Sequence, residues 1–216
     1  MDNSVGRLQS LIPSLQWEVI IGSLLGDGRL ECRSRGIRHS KTARFRAHHG
    51  NNQKQYVLWK YQILKNLVST PPKSITRLDN KRNKFETSWY FHTISLPELG
   101  IIHEWFYSDN IKRLPVNLEQ VFTPYMLAVW YMDDGSYTGS SCILNTHCLQ
   151  MSEQQRVRLM LLNKFNISST IIKDRHQYKI NIGASQLNKL MKIVSPYIIP
   201  TMSYKIVYPR NDSSLV

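Results

Sequence analysis

The sequence predicts an α+β protein of two pseudo-symmetric halves, each ordered αββαββα, with the two opening helices packed against each other at the centre. Three observations carry that reading. Two apolar segments end alike, Val19-Ile20-Ile21-Gly22-Ser23-Leu24-Leu25-Gly26-Asp27-Gly28 and Met126-Leu127-Ala128-Val129-Trp130-Tyr131-Met132-Asp133-Asp134-Gly135, so that Asp27 and Asp134 stand 107 positions apart in a chain of 216. Such self-similarity marks a duplicated supersecondary plan. Downstream of each segment come runs of strict alternation, the signature of half-buried antiparallel strands, and between those runs lie stretches of helical spacing.

The elements follow in order. After the first apolar helix, Arg44, Arg46 and His48 alternate with Ala43, Phe45 and Ala47, and Lys84, Glu86, Ser88, Tyr90 and His92 alternate with Phe85, Thr87, Trp89 and Phe91. Between them Tyr56, Trp59, Tyr61, Ile63, Leu64 and Leu67 recur at helical intervals, and Pro97 to Tyr107 supplies a third helix. In the second half Asn145 and His147 alternate with Leu144, Thr146 and Cys148, and Lys179 and Asn181 alternate with Tyr178, Ile180 and Ile182. The intervening helix carries Val157, Leu159, Met160, Leu161, Leu162 and Phe165, with Ser152 and Gln155 spaced as a capping box, and Ser185 to Val194 closes the half. The halves are expected at 1–110 and 111–216, joined through a linker-like segment from Asn110 to Pro124 that Pro115 and Pro124 bracket.

Composition bounds the function. With 42% hydrophobic and 20% charged residues, the chain can bury enough apolar surface to offset the entropy of ordering it. Lys and Arg number 28 against 15 Asp and Glu, a net charge of +13, shared as +7 over 1–110 and +6 over 111–216. A polyanionic partner fits. Cys32, Cys142 and Cys148 form no Cys-x-x-Cys pair, so neither disulfide nor zinc is expected. No apolar run approaches the roughly 20 residues of a membrane span, and Met1-Asp2-Asn3-Ser4 opens neither a signal nor a transit peptide. The expected location is inside the cell, in an organelle or a prokaryotic cytoplasm, with no membrane partner. Walker, Gly-x-Ser-x-Gly and His-Glu metalloprotease elements are missing. His48 and His49 near Asn51 and Asn52 lack the second histidine of a His-Asn-His nuclease.

One Asp-Gly after an apolar helix is an ordinary helix stop. Two at equivalent places would bring two carboxylates to one end of a central interface, which calls for a cation. Gly22 and Gly26, at i and i+4, leave a groove for close approach of the partner helix, while Val129, Trp130 and Tyr131 make the packing asymmetric.

Ile20 to Gly28 and Leu127 to Gly135 resemble the two motifs of the LAGLIDADG homing endonucleases, single-chain type. The likeness extends to Ile143-Leu144-Asn145-Thr146, Asn163-Lys164-Phe165 and Tyr197-Ile198-Ile199-Pro200 with Met202, Tyr204 and Lys205. The family's sixth motif residue, an acid, is Leu25 and Met132 here, a place that tolerates apolar residues in single-chain members. The resemblance implies that Asp27 and Asp134 bind metal, with the backbone carbonyls of Gly26 and Asp133 as further ligands. It also implies catalytic roles for Lys112, three residues before a proline, and Lys205, after Met-x-Tyr. Two or three divalent ions are expected, Mg²⁺ with Mn²⁺ able to substitute, and cleavage of both strands leaving short 3′ overhangs.

A two-stranded ribbon fits the major groove, alternate side chains facing the base edges. The candidate readers are Arg44, Arg46, His48, Asn145, His147, Lys179 and Asn181. The loop from Arg29 to Arg46 adds Arg29, Arg33, Arg35, Arg38 and Lys41 around a lone acid, Glu31; Lys73, Arg77, Lys81, Arg82 and Lys84 surround Asp79, and Lys173 joins the second half. These suit phosphate contact. The expected partner is therefore double-stranded DNA, bound by a monomer, at a long specific site. The alternatives are an RNA maturase acting on its own intron RNA, and a non-cleaving sequence-specific DNA-binding protein on the same fold.

Overall fold

The computed structural model describes residues 12–32 and 42–206. Helix α1 (Ser14–Leu25) begins after Pro13 and buries Gln16, Trp17 and every residue from Val19 to Leu25, as a helix apolar on all sides must. Helix α5 (Pro124–Asp134) buries Met126 to Asp133. Its start is set by Thr123, whose hydroxyl accepts from the Met126 N–H at 3.1 Å and donates to Glu18 Oε1 of α1 at 2.6 Å, with Pro124 in the first turn where its missing N–H costs nothing. The two helices pack face to face. A Cβ on Gly22 would stand 2.7 Å from Val129 Cβ and 2.8 Å from the Met126 carbonyl oxygen, so only glycine permits this approach. Gly22→Ala should cost about 1–3 kcal/mol through overpacking, read as a lower melting temperature. Val129→Ala should not rescue it, because a Cβ and a backbone oxygen remain in the way; an unshifted melt would show the helices free to separate.

Each opening helix leads into the same plan. In the first half come β1 (Arg29–Glu31), β2 (Arg44–Gly50), α2 (Lys54–Leu64), β3 (Lys73–Asp79), β4 (Lys84–His92) and α3 (Pro97–Phe106). A two-stranded hairpin, β5 (Tyr107–Ser108) with β6 (Ile111–Lys112), and a short helix α4 (Leu118–Val121) follow. The second half, after α5, has β7 (Gly135–Tyr137), β8 (Cys142–Leu144), α6 (Met151–Phe165), β9 (Thr170–Asp174), β10 (Gln177–Ile182) and α7 (Ala184–Val194). The sheets are antiparallel with corresponding orders, β1-β2-β4-β3 and β7-β8-β10-β9. The α+β class and the doubled αββαββα plan are therefore present. No helix among the described residues is long and apolar enough to cross a membrane.

Several local expectations are corrected. The segment after Asn110 is packed, not loose: Leu114, Leu118 and Phe122 are buried, and the Arg156 guanidinium donates to the carbonyls of Leu114, Pro115 and Val116. Asp109 and Asn110 turn the β5–β6 hairpin with φ of 52° and 60°, the left-handed pair that a two-residue hairpin requires, and residue 110 lies in that turn. The capping box of α6 is formed by Gln150 and Glu153, whose side chain accepts from the Gln150 N–H at 2.7 Å, not by Ser152 and Gln155. The strand expected through Cys148 stops at Leu144, because the backbone and side-chain N–H groups of Asn145 both donate to the Asp134 carbonyl, at 3.1 and 2.9 Å.

Candidate active site and nucleic-acid interface

Helix α1 ends at Leu25 and α5 at Asp134, so the elements that form the central interface also deliver the acids. Gly26 sits against the second helix so closely that a Cβ there would lie 2.4 Å from Asp133 Cβ. The Asp27 side chain is about half exposed, at 48%, whereas Asp133 beside it is wholly buried. Burial and the neighbouring carboxylates of Asp27 and Asp133 push Asp134 up to about 7. Burial and Asp133 also raise Asp27 from the ordinary carboxylate value. Carboxylates crowded in this way are relieved by a cation.

Both predicted lysines reach this end of the helices. The Lys112 ammonium, placed by the β5–β6 hairpin, donates to the carbonyls of Gly26 at 2.7 Å and Gly28 at 3.0 Å. Lys205 arrives on a 3₁₀ turn, Pro200–Lys205, and donates to the carbonyls of Tyr131 at 3.3 Å, Met132, and Asp133 at 3.2 Å. The Tyr131 hydroxyl donates in turn to the Lys205 carbonyl at 2.9 Å. Each lysine thus caps carbonyls at the negative end of one motif helix, a pseudo-symmetric pair. Burial lowers both ammonium groups from the ordinary lysine value, against the pull of Asp27, Asp133 and Asp134. The Gly26 and Asp133 carbonyls, expected as metal ligands, are here lysine acceptors.

Beneath Asp27 lies a cluster that the sequence reading did not pick out. The fully buried Lys60 of α2 donates to Asp133 Oδ1 at 2.7 Å and lies over the Tyr56 ring, 4.3 Å from its centroid. His49, the last inward-facing residue of β2, has Nε2 3.3 Å from Lys60 Nζ and 3.7 Å from Asp133 Oδ1, and Nδ1 3.6 Å from Asp27 Oδ2. Burial and the Lys60 charge push the ring down to about 4, although Asp133 acts in the opposite sense. Asp27, His49 and Asp133 offer ligand atoms within 4.8 Å of one another, but Lys60 already takes the cation's place between His49 and Asp133. One signal was legible: Lys60 falls on the stripe of Tyr56, Val57 and Leu64, and a lysine on a buried stripe demands an anion.

Register decides what the sheets present. In the first sheet Arg29 pairs with Arg46 and Glu31 with Arg44, Arg46 pairs with His92, His48 and Lys73 both pair with Tyr90, and Arg77 with Glu86 and Lys84 with Asp79. Arg29, Arg44, Arg46, His48, Lys73, Arg77 and Lys84 therefore share the face away from Phe45, Ala47 and Phe91. Glu31 gathers three of them, with contacts of 2.5 Å to Arg29, 2.7 Å to Arg44 and 3.5 Å to Arg46, which holds its carboxyl below the ordinary glutamate value despite partial burial. Arg82 pairs with Glu86 at the hairpin tip, and the Lys81 backbone N–H binds Asp79.

The second sheet is less basic. Lys179 and Asn181 share a face with Thr170, Ile172 and Asp174, where Asp174 holds Lys179 at 3.0 Å and His147 at 3.2 Å. Lys173 pairs with Tyr178, on the opposite face beside Ile180, so the register removes it from the reading face. Asn145 is turned to the Asp134 carbonyl and not outward. Arg33, Arg35, Arg38 and Lys41 lie outside the described residues.

Two αββαββα units joined through their opening helices, each ending beside an Asp-Gly and a lysine, define the single-chain, two-motif LAGLIDADG class. The sequence pattern of the LAGLIDADG DNA endonuclease family matches residues 17–190, and the chain belongs to that family. Its relatives include the cytochrome b mRNA maturase bI2 of Saccharomyces cerevisiae, 34% identical over 218 residues covering 95% of this chain. The chain spans about half, 49%, of that protein's length. The DNA endonuclease I-ChuI of Chlamydomonas applanata is 30% identical over 208 residues, covering 88% of this chain and 94% of the relative. Among solved structures, the homing endonuclease I-WcaI bound to its DNA recognition sequence superposes with a TM-score of 0.82 at 23% identity, covering 95% of this chain and 92% of that one, which shows a common fold. I-DmoI in complex with DNA and Mn matches with a TM-score of 0.51 at 17% identity, over 83% of this chain and 96% of that one.

Proposed function

We propose that this protein is a site-specific endonuclease that hydrolyses one phosphodiester in each strand of duplex DNA. The observation that carries the proposal is the pair of crowded carboxylates, Asp27 and Asp134, delivered by helix ends that two lysines also reach. A protein that only binds a polyanion gains nothing from acids there. The donor set fits divalent cations: the carboxylates are hard oxygens, and no hydrogen bond or ion pair among the described residues reaches the Asp134 carboxylate. Mg²⁺ suits such ligands. When bound, such ions supply charge neutralisation at phosphorus and an acidified water.

The chain's own residues do the rest. Asp27 and Asp134 hold the cations, each serving one strand. Lys112 and Lys205, fixed by helix-end carbonyls, place ammonium groups where charge develops on the phosphate. The first sheet's arginines and lysines grip the backbone and reach base edges, and Lys179, Asn181 and His147 do so from the second. Acting as a monomer, one chain suffices, because both motifs are present in it.

The test is cleavage of the uninterrupted DNA into which the gene's own element inserts, by purified protein with Mg²⁺ and with EDTA. A Mg²⁺-dependent double-strand break with short 3′ overhangs supports the reading; tight binding with no break overturns it. The maturase reading is favoured by the names of the yeast relatives, and splicing of the intron RNA in vitro, with cleavage missing, would establish it instead.

Glu31 has a role in this reading. A carboxylate among three arginines weakens indiscriminate attraction to phosphate and leaves the arginines to be released by a matching sequence. Glu31→Gln should bind an unrelated duplex several-fold tighter, with a slope of log K against log salt steeper by about one, while discrimination of the target falls. Unchanged slope and discrimination would show that Glu31 does not restrain the arginines.

A further inference from the structure

We infer that His49 is a positioning residue for Asp27 alone, held by Lys60 and Asp133, so that the two halves of the site are unequal and the strand served by Asp27 depends on His49. The inference rests on the nuclease reading above. It starts from a tautomer. Lys60 can only donate, so His49 Nε2, 3.3 Å from its ammonium, is the accepting nitrogen, and the ring proton sits on Nδ1, which faces Asp27 Oδ2 at 3.6 Å. The ammonium in turn is fixed by Asp133 Oδ1 at 2.7 Å, with 0% exposure of either side chain. A partner that orients a metal-binding side chain in this way tunes its affinity for the ion.

The arrangement is not duplicated. Past Asp134, Asn145 binds the Asp134 carbonyl, Thr146 donates to Gln154 at 3.1 Å and His147 faces Asp174, so none of them orients the Asp134 carboxylate. Asp133 itself, on the second motif helix, has only Gly26 opposite it on the first. Among the described residues, one carboxylate is steered from below and the other is not.

Two conservative variants separate positioning from packing. His49→Gln carries its amide near the place of Nε2, keeping Lys60 a partner but losing the group that faces Asp27. His49→Asn carries its amide near the place of Nδ1 and keeps that group. Calcium alone is titrated calorimetrically into each purified, folded protein. His49→Gln should lose roughly tenfold in affinity at one of the two sites, the order seen for outer-shell partners, with His49→Asn within about threefold of the parent. In single-turnover cleavage of a duplex labelled separately on each strand, with Mg²⁺, His49→Gln should slow one strand about tenfold relative to the other, and His49→Asn should restore the ratio. Equal slowing of both strands, unchanged calcium affinity and strand ratio, or Gln outperforming Asn would overturn the inference. A parent protein that binds calcium at two sites but cuts neither strand would overturn the nuclease reading, while the calorimetry would still decide the role of His49.

Discussion

Asp134→Asn should leave the strand it serves uncut, so that the duplex is nicked and not broken, while binding to the target persists. The substitution removes a charge and nothing else, since no hydrogen bond or ion pair among the described residues reaches that carboxylate, and the exchange is nearly isosteric. Metal-assisted charge stabilisation is worth several kcal/mol at the transition state, and each 1.36 kcal/mol is tenfold in rate, so the loss should reach at least about a thousandfold. Relief of crowding with Asp27 and Asp133 should leave folding and affinity intact. Asp27→Asn should cost as much on its own strand. Plasmid linearisation and nicking assays in Mg²⁺, run beside a gel-shift in Ca²⁺, read both quantities; a variant cutting both strands at the parental rate would remove the metal assignment.

Lys60→Met carries the largest expected effect on stability. Its ammonium lies wholly buried, 2.7 Å from the wholly buried Asp133 carboxylate. Removing one partner leaves an uncompensated charge inside, which costs about 3–5 kcal/mol. At roughly 2–4 °C per kcal/mol for a chain of this size, the melting temperature should fall by about 6–20 °C. Adding Asp133→Asn removes the stranded charge and should recover at least half of that loss. A single variant that melts within a degree or two of the parent, or a double variant no better than the single, would show that Asp133 finds another partner.

The doubled fold was legible because its signals are local: alternation in 43–48, 84–92 and 178–182, helical spacing in 56–67 and 157–165, and two apolar runs ending in Asp-Gly. Asp27 and Asp134 were legible for the same reason, and Lys112 and Lys205 through the family's pattern. What the sequence hid was the partner of each buried charge. Alternation places His49 inward and helical spacing places Lys60 inward, but the acid they share lies 73 residues beyond Lys60, and no periodicity reports on a contact between halves. Which face Lys173 takes was not legible, because a hairpin's face depends on register, where one residue of slip exchanges the two sides. The strand at 145–148 was overcalled because Asn145 leaves the ladder to satisfy the end of the motif helix.

The meeting of Gly26 with Asp133 bears on how the two halves can be recombined. A symmetric dimer of the second half would set Asp133 against its own copy at a place where a single added Cβ already meets an atom at 2.4 Å, and neither acid would have a Lys60. A dimer of the first half would leave Lys60 twice without its acid. Chimaeras that graft one half onto a half from another family member will therefore assemble only when the incoming piece brings glycine or aspartate, lysine or none, as a matched set. One buried charge pair thus makes the two halves non-interchangeable, a heterodimer written in a single chain.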